Sequence, residues 1–127
     1  IIIKIWGESY MDINEKIRNE ILIEKMGNDR FAMYRIAVCL SNPDREYNIR
    51  PTEDMYKKAY EYAVKATETG EDNANYVIGY LYMIGRGVGK DYNNAVSYFT
   101  KAANHGNSKA KEKLKQFVRS GSGYVLK

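Results

Sequence analysis

The sequence contains one cysteine, one histidine and two prolines among 127 residues. A single cysteine excludes an intramolecular disulfide, and with one histidine it leaves no ligand set of the zinc type. The scarcity of proline permits long helices through most of the chain. The opening run IIIKIW is too short for a signal peptide or a transmembrane helix. We therefore expect a cytoplasmic protein with no metal, no cofactor and no membrane association.

Arrangements of catalytic side chains are also missing. Cys39 lies in the apolar run RIAVCL, which is typical of a buried core thiol, so a nucleophilic pair with His105 is not expected. Glu53 and Asp54 follow Thr52 at a predicted helix start, where carboxylates interact favourably with the helix dipole. We infer that the chain has no catalytic residue and is not an enzyme.

Positive charge is concentrated toward the end of the chain. The overall net charge is +4, but from Lys101 onward seven basic side chains are accompanied by one acidic residue, Glu112. A basic tail can attract nucleic acid or an acidic surface. The four lysines of residues 109–115 alternate with other residues, so on a helix they point to different sides. That geometry is poor for following a phosphate backbone.

The chain repeats itself at a spacing of 36 residues. Residues 59–74 (AYEYAVKATETGEDNA) align with residues 95–110 (AVSYFTKAANHGNSKA), with six of sixteen positions identical. An offset of 42 residues places AMYRIAVCL (32–40) on ANYVIGYLY (74–82). Each unit therefore reads as helix A, connector, helix B and glycine turn. One such hairpin cannot bury its apolar face alone, whereas stacked copies can.

Capping residues and glycines define the expected helix ends. The predicted helices span residues 10–26, 30–41, 52–69, 72–84, 91–104 and 107–119. Thr52 and Asp91 are N-cap candidates, and Gly70 and Gly106 are expected to end helices in the left-handed conformation. The last seven residues, GSGYVLK, predict a loose tail or a short cap. No strand is expected beyond residues 1–5.

The stretch GRGVGK, residues 85–90, raises the hypothesis of a phosphate-binding loop. A Walker loop requires glycine where Ile84 stands, and serine or threonine where Asp91 stands. A dinucleotide-binding loop would follow a strand, whereas a predicted helix precedes this one. Gly85 and Gly87 instead indicate turn residues with positive φ. No small-molecule substrate or nucleotide is expected.

The run from Ala74 to Leu114 resembles the Sel1-like repeat. The family pattern is Ala, Leu-Gly and Tyr, a Gly-x-Gly-Val connector, Asp, Ala, two aromatics, Lys-Ala-Ala and Gly. The matching residues are Ile78, Gly79, Tyr82, Gly85, Gly87, Val88, Asp91, Ala95, Tyr98, Phe99, Lys101, Ala102, Ala103, Gly106 and Ala110. Asn94 stands where a basic residue is common. The likeness is looser over residues 32–73, where the connector glycines are lost.

This resemblance implies an all-α protein, an α/α solenoid related to tetratricopeptide repeats. It would contain about two helical hairpins with flanking N- and C-terminal helices, in a single domain over residues 1–127. We expect repeat 1 at about 30–70, repeat 2 at about 72–106, and capping helices at 10–26 and 107–119. Proteins of this family are usually scaffolds or adaptors that bind other proteins, and few are enzymes.

The helix faces indicate where a partner would bind. In the A helix of the second repeat, a packed arc centres on Ala74, Ile78 and Tyr82. Tyr76 and Tyr80 lie one turn apart on the opposite arc. With equivalent positions of the neighbouring A helices they form a groove, aromatic at its centre and polar at one end. Its predicted partner-binding residues are Phe31, Tyr34, Val38, Asn73, Tyr76, Tyr80, Met83, Lys109, Glu112 and Gln116.

The leading functional hypothesis is a protein–protein interaction module, an adaptor or regulator, that binds another protein through this groove. One alternative is a small inhibitor or regulator that docks on one larger complex. Another is a binder of nucleic acid or an acidic surface through the basic C-terminal helix, with nucleic acid the less favoured partner. At the site itself, an alternative is that one of the two tyrosines only covers the next helix.

Overall fold

The computed structural model describes residues 3–5, 8–10, 34, 37–38 and 53–127. The helices with described bounds are α1 (Glu53–Glu68), α2 (Ala74–Ile84), α3 (Tyr92–Asn104) and α4 (Ser108–Leu114). The strands are β1 (Ile3–Ile5), β2 (Glu8–Tyr10), β3 (Phe117–Ser120) and β4 (Gly123–Leu126). β1 pairs antiparallel with β2, and β3 pairs antiparallel with β4.

The helical prediction is confirmed for the three central helices, whose ends agree with the expected ends to within two residues. Each helix packs on the next along the chain, α1 on α2, α2 on α3 and α3 on α4. Tyr34, Ala37 and Val38 are helical, in agreement with the helix expected there. The rest of that helix and nearly all of the helix expected at 10–26 lie outside the described residues, as do Cys39 and Thr52.

Side-chain caps define the starts of α3 and α4. The Asp91 carboxylate accepts a hydrogen bond from the Asn94 amide at 3.0 Å, and its other oxygen accepts one from the Asn94 side chain at 2.9 Å. Asn107 caps α4 in the same way, since its Oδ1 accepts from the Ala110 amide at 2.9 Å. These bonds satisfy backbone donors that have no partner within the helix. The expected left-handed conformations of Gly70 and Gly106 are confirmed.

The first core cluster lies between α1 and α2. Its buried members are Ala37, Tyr56, Ala59, Ala63, Ala66, Ala74, Val77, Ile78 and Leu81. Three alanines of α1 recur at the helical spacing and are fully buried, so α2 can approach closely. Of the arc expected on α2, Ala74 and Ile78 are buried, whereas Tyr82 is half-buried at the edge of the cluster.

The second core cluster surrounds Phe99, which is fully buried. Its buried members are Ala95, Phe99, Ala102, Ala110 and Phe117. Gly79 of α2 lies directly against this ring, because a Cβ there would stand 2.8 Å from Phe99 Cδ1 and 3.1 Å from the Ala95 carbonyl oxygen. The absence of a side chain at Gly79 therefore determines how closely α2 and α3 pack.

The C-terminal end differs from the prediction. The helix expected at 107–119 ends at Leu114, and the expected loose tail forms the β3–β4 hairpin instead. A continued helix would carry Phe117 about 10 Å beyond Ala110 along its axis. Ending the helix early instead brings the Phe117 ring to 5.7 Å from Tyr92 and 6.2 Å from Phe99, centroid to centroid. Burial of this aromatic side chain outweighs the local helical preference of the lysine-rich segment.

The expectation of no strand beyond residues 1–5 is wrong at both ends. Strand β2 includes Tyr10, at the predicted start of a helix. At the C-terminal end, the β-branched pair Val118 and Val125 flanks a Ser-Gly-Ser-Gly turn in which Gly121 has a φ of 62°. The hairpin is held on α3 by a hydrogen bond from the Tyr124 amide to Asn93 Oδ1, at 3.1 Å.

Substitution of Gly79 tests the close contact between α2 and α3. Gly79→Leu should lower the free energy of unfolding by about 1–3 kcal/mol, because the new side chain overpacks the Phe99 ring. Ala102→Leu, at a fully buried position, should behave similarly. Gly89→Leu is the matched control, since nothing lies within 4 Å of a Cβ at Gly89. Thermal melts in which Gly79→Leu and Gly89→Leu are equally stable would contradict this packing.

Substitution of Phe117 tests the hairpin. Phe117→Ala should cost about 3 kcal/mol of unfolding free energy, because a nearly buried ring leaves a cavity beside Phe99. Val118→Ala, on the outer side of the same strand, should cost less than about 1 kcal/mol. Urea denaturation of both variants provides the comparison. Equal losses would indicate that the hairpin does not pack on α3.

Candidate functional site

Tyr76 and Tyr80 form an aromatic pair on α2. Their rings are nearly parallel, with centroids 6.5 Å apart and an interplanar angle of 20°. Both side chains are half-buried, as is Met83 on the next turn of the same face. Tyr76 also contacts the Phe99 ring at 5.6 Å, centroid to centroid. Tyr76 therefore covers α3, as the alternative interpretation allowed, and it also stacks on Tyr80.

Lys113 of α4 also lies against this face, although it was not among the predicted site residues. Its Nζ lies 5.9 Å from the centroid of the Tyr80 ring. At 100° per residue, Lys113 lies one turn after Lys109 and about 40° from it, next to the arc that contains the predicted Lys109, Glu112 and Gln116. The helical arc alone could therefore have identified it. The three predicted residues are exposed, and Glu112 accepts a hydrogen bond from Lys115 Nζ at 3.0 Å.

Asn73 lies in the turn before α2 and contacts the next turn of the repeat. Its Oδ1 accepts a hydrogen bond from Asn107 Nδ2 at 3.0 Å. Beside it, His105 Nε2 lies 3.3 Å from the Asp72 carboxylate, and His105 Nδ1 lies 2.9 Å from the Lys101 carbonyl oxygen. Asn73 thus links two successive turns rather than joining the tyrosine pair. His105 is exposed and forms the C-cap of α3.

The predicted residues of the preceding A helix are only partly described. Tyr34 and Val38 are half-buried and pack against the first core cluster, while Phe31 lies outside the described residues. Burial, and secondarily the negative charge of Glu71, raises the pKa of the Tyr34 hydroxyl. Of the ten predicted residues, the structure clearly brings together Tyr76, Tyr80 and Met83, which share one side of α2.

A second aromatic row lies on the other side of α2. Tyr82 stacks on Tyr98 at 5.9 Å, centroid to centroid, and its hydroxyl lies 3.4 Å from the Tyr60 hydroxyl. The hydrogen bond with Tyr60, together with burial, raises the pKa of Tyr82 to about 12. The Lys101 ammonium lies 4.5 Å from the centroid of the Tyr98 ring. This row joins three successive helices and has a structural role.

The glycine stretch of residues 85–90 binds a carboxylate of the protein itself, that of Glu53. The Gly87 amide donates to Glu53 Oε2 at 2.7 Å, and Arg86 Nε donates to Glu53 Oε1 at 3.0 Å. Gly87 has a φ of 76°, and a Cβ there would stand 2.6 Å from the Tyr56 carbonyl oxygen. The positive φ expected at Gly85 and Gly87 is confirmed. The loop therefore connects α2 to α3 and clamps the first turn of α1.

Charge is segregated along the continuous part of the structure. Residues 53–100 carry seven acidic and five basic side chains, whereas residues 101–127 carry one acidic and seven basic. Within the described residues, no group of three His, Cys, Asp or Glu side chains could hold a metal ion. In the same part of the chain, no helix combines the length and apolar character needed to cross a bilayer.

Comparisons with known proteins identify the repeats. The model of a family described as Sel1 repeat matches residues 30–70 and 72–107. The crystal structure of a Sel1 repeat protein from Oxalobacter formigenes is similar, with a TM-score of 0.57 and 21% sequence identity. The similarity covers 80% of this chain and 42% of that one, so this chain matches less than half of the solved protein. No curated protein matches the chain.

The Glu53 clamp predicts a defined pH dependence. The Gly87 amide, and secondarily Arg86, lowers the pKa of Glu53 below its ordinary value of 4.5. Because the folded-state pKa is lowered, the stabilisation is present above pH 4.5 and is lost as the pH falls through the folded-state pKa. The Gly87 amide resonance should therefore shift with the Glu53 carboxylate below pH 4.5 in an NMR titration.

Glu53→Gln should abolish the acid-induced shift of the Gly87 amide resonance. It should also make the free energy of unfolding less dependent on pH below 4.5. Asp54→Asn is the matched control, because Asp54 lies in the same turn but pairs with exposed Lys58 at 3.5 Å. A Gly87 resonance that does not respond to acid, or equal effects of the two substitutions, would contradict the clamp.

Proposed function

The chain belongs to the Sel1 repeat family, and on this premise we propose that it is an adaptor or regulator that binds a partner protein through its A-helix groove. Sel1 repeats generally mediate protein–protein interaction, and the family is a non-catalytic repeat scaffold. The fold is the α/α solenoid of that family, with minor β-hairpins. The observation that carries the proposal is the stacked pair of Tyr76 and Tyr80 beside Lys113.

The repeat supports a groove lined by α2 and α4. Helices α2 and α4 occupy equivalent places in successive repeat units, since Ala74 and Ala110 are related by the 36-residue offset and both are fully buried. Equivalent helices of stacked hairpins line the same face. We therefore assign Tyr76 and Tyr80 of α2 and Lys113 of α4 to one proposed groove, because Lys113 Nζ lies over the Tyr80 ring.

Tyrosine pairs of this kind suit protein recognition. A tyrosine ring provides a large amphipathic surface and loses little conformational entropy on binding. The contacts with Phe99 and within the pair hold both rings in place before a partner arrives. Such preorganisation reduces the entropic cost of association. Tyrosine is also among the residues that most often dominate the binding energy of an interface.

The proposal also covers the location of the protein, its lack of catalysis and its class of ligand, which the amino-acid composition supports. It takes the chain to be cytoplasmic, non-catalytic and without nucleic acid or a small molecule as its ligand. The single-domain organisation over residues 1–127, with two repeats and flanking caps, also remains a prediction. A regulator that docks on one larger complex would use the same groove, so the identity of the partner distinguishes it from a general adaptor.

Alanine substitutions in the groove test the proposal once a partner is isolated by pull-down from the source organism and mass spectrometry. Tyr76→Ala and Tyr80→Ala should each weaken its binding by about 2 kcal/mol, roughly thirtyfold in Kd. Lys111→Ala and Lys115→Ala, on the other side of α4, should change Kd far less. Calorimetric titration measures the affinities, and circular dichroism checks that helicity is retained.

The opposite result of these substitutions would contradict the groove. If the lysine variants lose binding and the tyrosine variants do not, the groove does not bind the partner. In that case the basic surface of α4 binds an acidic surface or nucleic acid. If the ligand on that surface is a nucleic acid, its affinity should fall steeply between low and moderate salt.

A further inference from the structure

We propose that the partner segment is acidic and that its carboxylates bind the side of α4 that carries Lys109 and Lys113, beside Tyr80. This inference rests on the proposed function, because it names the chemistry of the partner at the same groove. We call this side of α4, defined by Lys109 and Lys113, the inner flank. The side defined by Lys111 and Lys115 is the outer flank.

Helical geometry separates the four lysines of α4 into these two flanks. Ala110 is fully buried and Leu114 packs against the second core cluster, so they mark the side of α4 that faces the protein. At 100° per residue, Lys109 and Lys113 fall on one side of that line, and the other two lysines on the opposite side. The approach of Lys113 Nζ to the Tyr80 ring shows which flank adjoins the tyrosines.

The inner flank has uncompensated positive charge among the described residues. Glu112 is the one acidic residue of segment 101–127, and it pairs with Lys115 on the outer flank at 3.0 Å. Across residues 53–127, no carboxylate forms an ion pair with Lys109 or Lys113. An ammonium group offers three hydrogen-bond donors and no acceptor, so a carboxylate is its natural complement.

The distribution of charge over residues 53–127 also favours an acidic partner segment. The preceding part of the described structure, residues 53–100, has more acidic than basic side chains, so positive potential is concentrated at this end of the groove. Such segregation steers an acidic ligand to one end and orients it. An extended acidic segment can place carboxylates on the inner flank and a side chain on Tyr80. A nucleic-acid backbone gains most from aligned cations, and here the lysines are divided between two flanks.

Three synthetic probes test the inference on the full chain: a glutamate decapeptide, its glutamine counterpart and a ten-residue oligothymidylate. The glutamate peptide should shift the amide resonances of Lys109, Lys113 and Tyr80 in nitrogen–proton NMR spectra at low salt. The glutamine peptide should not bind. Oligothymidylate that binds the inner flank as tightly as the glutamate peptide would overturn the inference in favour of nucleic acid.

A pair of charge-reversed double variants provides the matched control. Lys109→Glu with Lys113→Glu should weaken glutamate-peptide binding at least about tenfold, whereas Lys111→Glu with Lys115→Glu, at identical net charge, should weaken it less than about threefold. Melting temperatures confirm that both variants are folded. Equal losses in the two variants, or no binding of the glutamate peptide to the unmodified chain, would refute a specific acidic site.

The inner-flank variant, tested against the isolated partner, separates this inference from the proposed function. If Tyr80→Ala weakens partner binding while the inner-flank variant binds normally, the groove binds the partner but the partner segment is not acidic there. If both inner-flank lysines matter and the tyrosines do not, the partner binds α4 without using the tyrosine pair, and the proposed function fails.

Discussion

The contact between Gly79 and Phe99 is the constraint on which the rest of the structure depends. Because Gly79 has no Cβ, α3 lies close enough to α2 for the Phe99 ring to be fully buried between them. The same ring contacts Tyr76 on the candidate binding face and Phe117 in the C-terminal hairpin. One buried aromatic side chain thus contacts both the candidate binding face and the C-terminal hairpin.

The elements that the sequence predicts well are those determined locally. The Asp91 cap, the glycine at residue 106 and the repeating alanines act within a few residues of one helix or within one repeat. The β3–β4 hairpin was not predicted because its docking depends on partners far away in the chain, namely Tyr92, Asn93 and Phe99. The local signal, two β-branched residues around a Ser-Gly-Ser-Gly turn, competed with a lysine-rich helical pattern.

In the candidate site, too, the local features are predictable from the sequence and the contacts between distant residues are not. The spacing of Tyr76 and Tyr80 predicts their pairing, since residues one turn apart on a helix are neighbours. The contact of Tyr76 with α3 and of Lys113 with Tyr80 required the relative positions of three helices. Helical spacing alone places Asn73 on the exposed face, but its side chain accepts a hydrogen bond from Asn107 in the next turn of the repeat. Periodicity therefore identifies a face, and packing decides which of its residues remain accessible.

The return of the C-terminal hairpin onto α3 has a consequence for the mechanics of the repeat. A helix as short as α4 would fray readily by itself. Here the chain beyond α4 is anchored to the N-terminal end of α3 through Asn93, and through Phe117 to the core. Tension applied at the C-terminus is consequently resisted first by the hairpin and not by α4. Helices α3 and α4 should therefore unfold as one cooperative unit, which holds the lysine-bearing helix α4 in place.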